Sequence, residues 1–250
     1  MTIESIPGVF GLRDIGGMPA AGGRTRRGRL FRSGELSGVD DAGARMLRSG
    51  IRRIVDLRSD DEVASAATSV PGVEIVRVPL FLGSPASFFF EDLTLGEVYE
   101  RMLAESAASL VTAVRMIARG EPTLVHCTAG KDRTGLTIAL ALAAAGTDRG
   151  AVVADYALTG ELISDEHRSA EVVRLRAKYP DSRNAASLVT ESPAPVMAAT
   201  LAGVEERWGG AADYLRAHGL TSDELAALRH ALIERGAPGI PASDTEGASL

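Results

Sequence analysis

Apolar and polar positions change their period along the chain. Through the first third, short β-branched runs alternate with turn residues. They predict a strand near Leu30-Phe31, a helix over Asp41 to Arg48, and strands over Ile51 to Leu57 and Val73 to Val78. Ser84 to Thr94 carries the consecutive phenylalanines Phe88 to Phe90 between Gly, Pro and Ser flanks, and reads as a loop with a partly buried tip. From Leu95 to Arg119, Val98, Met102, Leu110, Val114 and Ile117 are spaced for one face of a long helix or a kinked pair, closed by Gly120. Thr123-Leu124-Val125-His126 is a short strand running directly into Cys127, and the apolar stretch from Gly135 onward is a helix. Arg149 to Arg235 reads as helical throughout, with Asp148, Ser192 and Thr221 as caps.

Alternating strands and helices followed by an all-helical region predict an α/β fold: a central, mostly parallel sheet flanked by helices, with a C-terminal helical lid and bundle. A single domain is expected over 1–236, and a disordered tail over 237–250, where glycine, proline and small polar residues collect. The candidate lid is 161–208. Within it Met197, Leu201, Val204 and Trp208 form an apolar stripe at helical spacing, and Val172, Val173 and Leu175 a second, less regular patch.

With 250 residues and 45% hydrophobic content, the chain can bury a core without disulfides or metal. The net charge of −6 argues against nucleic acid as a partner, because phosphate neutralisation needs a basic face. Cys127 is the only cysteine, so nothing calls for an oxidising compartment. The beginning, MTIESIPGVFGLRD, lacks the basic and apolar segments of a secretory signal. The most apolar run, Leu136 to Ala145, is about half a bilayer span. The expectation is a monomer, cytoplasmic by default, with export by a route without a cleavable signal left open.

Between Cys127 and Arg133 lie five residues, in a loop joining a strand to a helix. Successive N–H groups of Thr128, Ala129, Gly130, Lys131, Asp132 and Arg133 can curl inward as an anion nest. The helix N-terminus adds partial positive charge, and Gly130 and Gly135 permit tight turns. Arg133 offers a planar fork for two phosphate oxygens. The same donors favour the thiolate of Cys127 over its thiol, and the Thr134 hydroxyl can donate to the sulfur. A thiolate beneath a bound phosphate is placed for attack on phosphorus, giving a phosphocysteine. Asp132 has a matching role as acid and then base. The candidate catalytic residues are therefore Cys127, Asp132 and Arg133, and the phosphate-binding residues Thr128 to Thr134. The nucleotide-binding pattern G-x-x-x-x-G-K-[ST] fails, with Val125 and Asp132 at its first glycine and its Ser/Thr positions.

HCTAGKDRTG (His126 to Gly135) resembles the active-site loop of the protein tyrosine phosphatase superfamily, and within it the bacterial tyrosine and lipid phosphatases. The resemblance extends to GLRDIGG (Gly11 to Gly17), RLFRSGEL (Arg29 to Leu36), IVDLRSDDE (Ile54 to Glu62) and VADYALT (Val153 to Thr159). It implies a phosphatase-like fold without a cofactor, a general acid at Asp132, a role for Lys131 in phosphoinositide turnover, a helical lid, and phosphorylated protein or phosphoinositide as substrate.

Other residues invite competing readings. Asp92 stands near the position of the mobile-loop acid of classical tyrosine phosphatases, but Phe90-Glu91-Asp92-Leu93 lacks the Trp-Pro that precedes that acid. Asp56 with Arg58 reads as a structural ion pair at the end of a strand, or as a direct substrate contact, and Arg13 with Asp14 as structural. The basic run Arg24 to Arg29 is a solvated turn, or a transient contact with an anionic membrane surface. His126, His167, His218 and His230 lack ligand spacing, so no metal is expected; His126 orders the loop. A sulfurtransferase would have no use for an acid beside its arginine, and a phosphate-binding pseudo-enzyme would have no need of Cys127, Asp132 and Arg133 together.

Overall fold

The computed structural model describes residues 6–80 and 86–235. The chain opens with β1 (Arg13–Asp14), β2 (Pro19–Ala20), β3 (Gly23–Thr25) and β4 (Leu30–Ser33). It continues through α1 (Asp41–Gly50), β5 (Arg53–Asp56), α2 (Asp60–Ser65) and β6 (Glu74–Arg77). Then come α3 (Ala86–Phe90), α4 (Leu95–Glu105), α5 (Ala107–Ala118), β7 (Thr123–His126) and α6 (Asp132–Ala145). The last part holds α7 (Arg149–Glu161), α8 (Asp165–Lys178), α9 (Ala185–Thr190), α10 (Ala194–Trp208), α11 (Ala211–Ala217), α12 (Ser222–Leu232) and β8 (Ile233–Arg235).

The fold is α/β, and its sheet has the order β1-β4-β7-β5-β6, with β4, β7, β5 and β6 parallel and β1 antiparallel to β4. β7 lies in the middle, and Thr123 through His126 are all buried, as a strand covered on both faces requires. The C-terminal ends of β4, β5 and β7 converge at Ser33, Asp56 and His126, the end of a parallel sheet where ligands bind. α6 leaves β7 there and is buried nearly all round among α5, α7, α11 and α12, which accounts for its uninterrupted apolar sequence. Gly146, at φ 96°, ends it in the left-handed conformation.

Several expectations are refined. The phenylalanine segment is helical over α3, where Phe88 and Phe89 pack on the main core and Phe90 is exposed; 81–85 lie outside the described residues. The long helix is a pair broken at Ser106, and α4 starts in a capping box between Thr94 and Glu97. Asp148 and Thr221 cap as expected, but Pro193 occupies the cap of α10. Ser192 Oγ instead accepts from Gly160 N and donates to Ala157 O, tying the end of α7 to the start of α10. β8 interrupts the helical region by pairing with β3 in a small β2-β3-β8 sheet. The basic run is absorbed nearby: Arg24 donates to Gly17 O, Arg26 to His230 O and Ile233 O, and Arg29 to Gly120 O. The expected tail, 237–250, lies outside the described residues, among which no helix is long and apolar enough to cross a membrane.

The stripe on α10 faces the main core: Met197, Leu201 and Val204 are buried there, and Trp208 stacks edge-on against Tyr214. α8 and α9 are packed differently. Leu175, Tyr179 and Ala185 form a small cluster with Phe89 and Val189, Leu188 of α9 joins the main core, and Val173 is exposed.

Arg13 and Asp14 are structural, as expected. Asp14 accepts from Gly16 N and Gly28 N, and Arg13 reaches α7 to pair with Asp155 at 2.7 Å. Arg32, fully buried on β4, pairs with the other Asp155 oxygen at 2.6 Å. Burial pushes the Asp155 carboxyl up, but the charges of Arg32 and Arg13 outweigh it and hold the group below its ordinary value. Removing one member of a buried pair strands the others. Asp155→Asn should therefore cost about 3–5 kcal/mol in urea unfolding at neutral pH. The folded-state value is the lower one, so the contribution is present above the ordinary aspartate value of about 3.9 and lost as pH falls through the depressed value. The gap between parent and variant should be flat near neutrality and narrow in acid; equal stability at neutral pH would contradict this account.

Candidate active site

β7 delivers Cys127, buried at 2% exposure, to the start of a loop that ends where α6 begins. Gly130 has φ 66°, and a Cβ there would stand 2.3 Å from Ser33 O, so only glycine lets the loop lie against the end of β4. The loop's carbonyls are turned outward. Thr128 O accepts from Glu35 N at 2.9 Å, Gly130 O from Arg32 Nη2 at 2.8 Å, and Lys131 O from Gly135 N at 2.8 Å. The consecutive N–H groups from Thr128 to Thr134 donate to no described residue. Such a run of donors at a helix N-terminus is chemically an anion site, and Cys127 stands at its entrance.

Arg133, 8% exposed, stands in the first turn of α6, and its fork meets a residue that sequence reasoning did not single out. Nη1 and Nη2 bind Glu62 Oε2 and Oε1 at 2.6 and 2.7 Å, and Thr128 Oγ1 donates to Glu62 Oε1. Burial pushes Glu62 up, yet the hydrogen bonds and charge of Arg133, with Thr128, carry it far below the ordinary glutamate range. Burial disfavours the Arg133 cation, and Glu62 with Cys127 more than restores it. Glu62 also closes the capping box of α2 with Ser59, so the start of α2 and the loop share one carboxylate. The signal for that cap was in the sequence, as Ser59-Asp60-Asp61-Glu62; its reach to Arg133 was not.

Asp132 opens α6 with its side chain 26% exposed. Its Oδ1 accepts from Tyr99 OH at 2.9 Å and from Lys131 Nζ at 2.8 Å, and Tyr99 OH lies 2.7 Å from Tyr156 OH. Oδ2 takes no hydrogen bond from a described residue. Lys131 was expected as an extra cation beside the loop. It is buried at 1% exposure, and besides Asp132 its ammonium holds Glu191 O at 2.7 Å. The Thr134 hydroxyl, expected to reach sulfur, is buried with no hydrogen-bond partner among the described residues.

Beside Ala129, Lys131, Asp132 and Arg133 opens a pocket of about 160 Å³ whose other walls are apolar, with Phe88, Phe89, Leu95, Val98, Leu188 and Val189. The competing candidates stand elsewhere or act structurally. Asp92 accepts from Ser182 Oγ, Arg183 N and Asn184 N, which with the Arg183 side chain lower it to about 2, the Asn184 bond foremost. It thus anchors the turn before α9. Asp56 and Arg58 form a buried pair at 2.8 Å. His126 is fully buried, its Nδ1 3.1 Å from Cys127 O, and burial holds it below its ordinary value.

The model of a tyrosine phosphatase family matches residues 4–234. The chain is 30% identical to the triple specificity protein phosphatase PtpB of Mycobacterium tuberculosis, over 93% of this chain and all of the relative. It is 29% identical to a putative tyrosine-protein phosphatase of Cupriavidus necator, covering 83% of this chain and 81% of that one. A tyrosine-protein phosphatase of Nostoc commune is 27% identical, over 83% and 75%. With nearly its whole described length matched, loop included, the chain belongs to the tyrosine phosphatase family and is an enzyme of the protein phosphatase class.

Proposed function

We propose that the enzyme hydrolyses phosphotyrosine through a phosphocysteine on Cys127. The observation that carries this reading is the run of N–H groups from Thr128 to Thr134, unengaged by any described residue, around the single cysteine, with Arg133 in the first turn of α6. The phosphate's equatorial oxygens would take those donors and the Arg133 edge that Glu62 leaves open. Sulfur attacks phosphorus in line: an S–P bond forms, the P–O bond to the leaving group breaks, and Asp132 Oδ2 gives its proton to the departing oxygen. Water then attacks the phosphocysteine, returning a proton to Asp132 as the S–P bond breaks and phosphate leaves. Glu62 keeps Arg133 pointed at the loop.

The apolar pocket supports an aryl ring, since Phe88, Phe89, Leu95, Val98, Leu188 and Val189 can flank a tyrosine while its phosphate reaches the loop. A second reading, phosphoinositide turnover, is supported by the position of Lys131 in the loop. For that, an additional phosphate must compete with Asp132 and Glu191 O for the ammonium.

Residues 1–236 serve in this reading as one phosphatase domain, in which α8 and α9 rather than the buried stripe of α10 are the lid. The support is the small cluster of Leu175, Tyr179 and Ala185, which among the described residues meets the main core only through Phe89 and Leu188, and the place of Leu188 and Val189 in the pocket wall. With no second cysteine to trap a sulfenic acid, a covered thiolate is protected from irreversible oxidation.

Cys127→Ser should abolish turnover yet keep measurable affinity for a phosphotyrosine peptide, whereas Arg133→Ala should lose both. Initial rates on phosphotyrosine, phosphoserine and phosphoinositide substrates should rank phosphotyrosine first. Substantial turnover by the serine variant sinks the covalent mechanism. For the lid, Leu175→Ala combined with Tyr179→Ala should make peroxide inactivation several-fold faster while kcat on a small aryl phosphate stays unchanged. An unaltered inactivation rate in a folded variant would mean that α8 and α9 shield nothing.

A further inference from the structure

We infer that Tyr99 is a positioning residue for the general acid: its hydroxyl fixes Asp132 Oδ1, which leaves Oδ2 as the oxygen that carries the transferable proton. The inference rests on the assignment of Asp132 as general acid. A carboxyl group on the first residue of a helix can rotate, and either oxygen could take the proton. Here both described donors converge on one of them, Tyr99 OH at 2.9 Å and Lys131 Nζ at 2.8 Å. An ammonium has no lone pair to accept with. Tyr99 has one proton, and the acceptor-only carboxylate takes it. The 2.7 Å contact between the two phenols is therefore donated by Tyr156, and the chain runs Tyr156 to Tyr99 to Asp132 Oδ1. A proton placed on Oδ1 would face these donors, so the acid form carries it on Oδ2, beside the pocket.

The two rings are held for this task. Tyr99 on α4 and Tyr156 on α7 are 0% and 1% exposed and meet edge to face, with centroids 6.0 Å apart. A Cβ on Gly135 would stand 2.9 Å from Tyr156 Cδ2, so the glycine makes room for the ring against α6, just below Asp132. Burial, with the nearby Asp132 charge, pushes both phenols above their ordinary value, so they remain donors wherever a carboxylic acid works. Hydrogen bonds to an ionised carboxylate are about twice as strong as neutral ones, enough to choose an orientation.

The alternative is that Tyr99 merely fills the core and satisfies its hydroxyl. Steady-state kinetics on aryl and alkyl phosphates of increasing leaving-group basicity separate the two. Tyr99→Phe should lower kcat by up to about 10²-fold, as a 1 Å misplacement of a catalytic group does, with the loss growing as the leaving group becomes more basic. KM, and phosphopeptide affinity in the Cys127→Ser background, should not change. Tyr156→Phe, which leaves Asp132's own contacts intact, should give a smaller loss of the same kind. Adding Tyr99→Phe to Asp132→Asn should cost nothing further. If Asp132→Asn is itself silent, the acid has been misassigned. If Asp132→Asn is impaired but Tyr99→Phe is silent, or loses rate equally on every leaving group, the positioning role is wrong and the acid assignment stands. Should Tyr99→Phe not fold, a Tyr156→Phe loss without leaving-group dependence overturns the proposal.

Discussion

A guanidinium buried under the end of β4 joins the sheet, the loop and the helical layer. Arg32 pairs with Asp155 on α7 through one nitrogen and holds Gly130 O of the loop through another. Gly130 O is one of the carbonyls that must turn outward if the loop's N–H groups are to face an anion, and a neutral donor would hold it less firmly. Asp155 must then be ionised to neutralise two arginines, and it is, because Arg13 and Arg32 together outweigh its burial. Such a network gives less net stability than its short distances suggest, since each charge was desolvated to form it. What it supplies is a unique position for the loop relative to α7, and so for Tyr156, which follows Asp155 in sequence and contacts Gly135 of α6.

The loop was legible because its chemistry is contiguous. Strand, anion-binding turn and helix lie within His126 to Gly135, where spacing alone puts Cys127, Asp132 and Arg133 at one helix N-terminus. The parallel sheet was legible for the same reason, since each strand announces itself locally by β-branched residues and bounding turns. Glu62 and Tyr99 were hidden for the opposite reason. Glu62 reaches a partner 71 residues away while its sequence context explains it fully as a capping glutamate. Tyr99 sits among the apolar positions of α4, where an aromatic reads as core; only the fold shows that its hydroxyl meets a carboxylate rather than a backbone carbonyl.

The lysine and the helical appendage illustrate a second limit. In sequence, Lys131 is a cation beside a phosphate loop, and the α10 stripe is an apolar face in search of a partner. Both were read by type rather than by competition. Asp132 Oδ1 and Glu191 O hold the Lys131 ammonium at 2.8 and 2.7 Å, and the main core claims Met197, Leu201 and Val204. The less regular patch upstream, around Leu175, is the one that packs apart from the core. The α10 stripe is spent on the main core, which leaves the small cluster around Leu175 as the surface that the proposed lid would open.

Lys131 consequently links the two parts of the site. Its ammonium bridges Asp132 Oδ1 and the carbonyl of Glu191, the residue that follows α9. In the proposed reading, docked α9 holds Lys131 from above, and Lys131 shares with Tyr99 the fixing of one oxygen of Asp132, the proposed acid. With α9 withdrawn, the ammonium loses an acceptor while the contact from Tyr99, anchored in α4 and backed by Tyr156, persists. If α8 and α9 act as the proposed lid, the orientation of Asp132 is secured from α4 and α7 and supplemented from α9. In that arrangement, opening to admit a large substrate does not disassemble the proton donor.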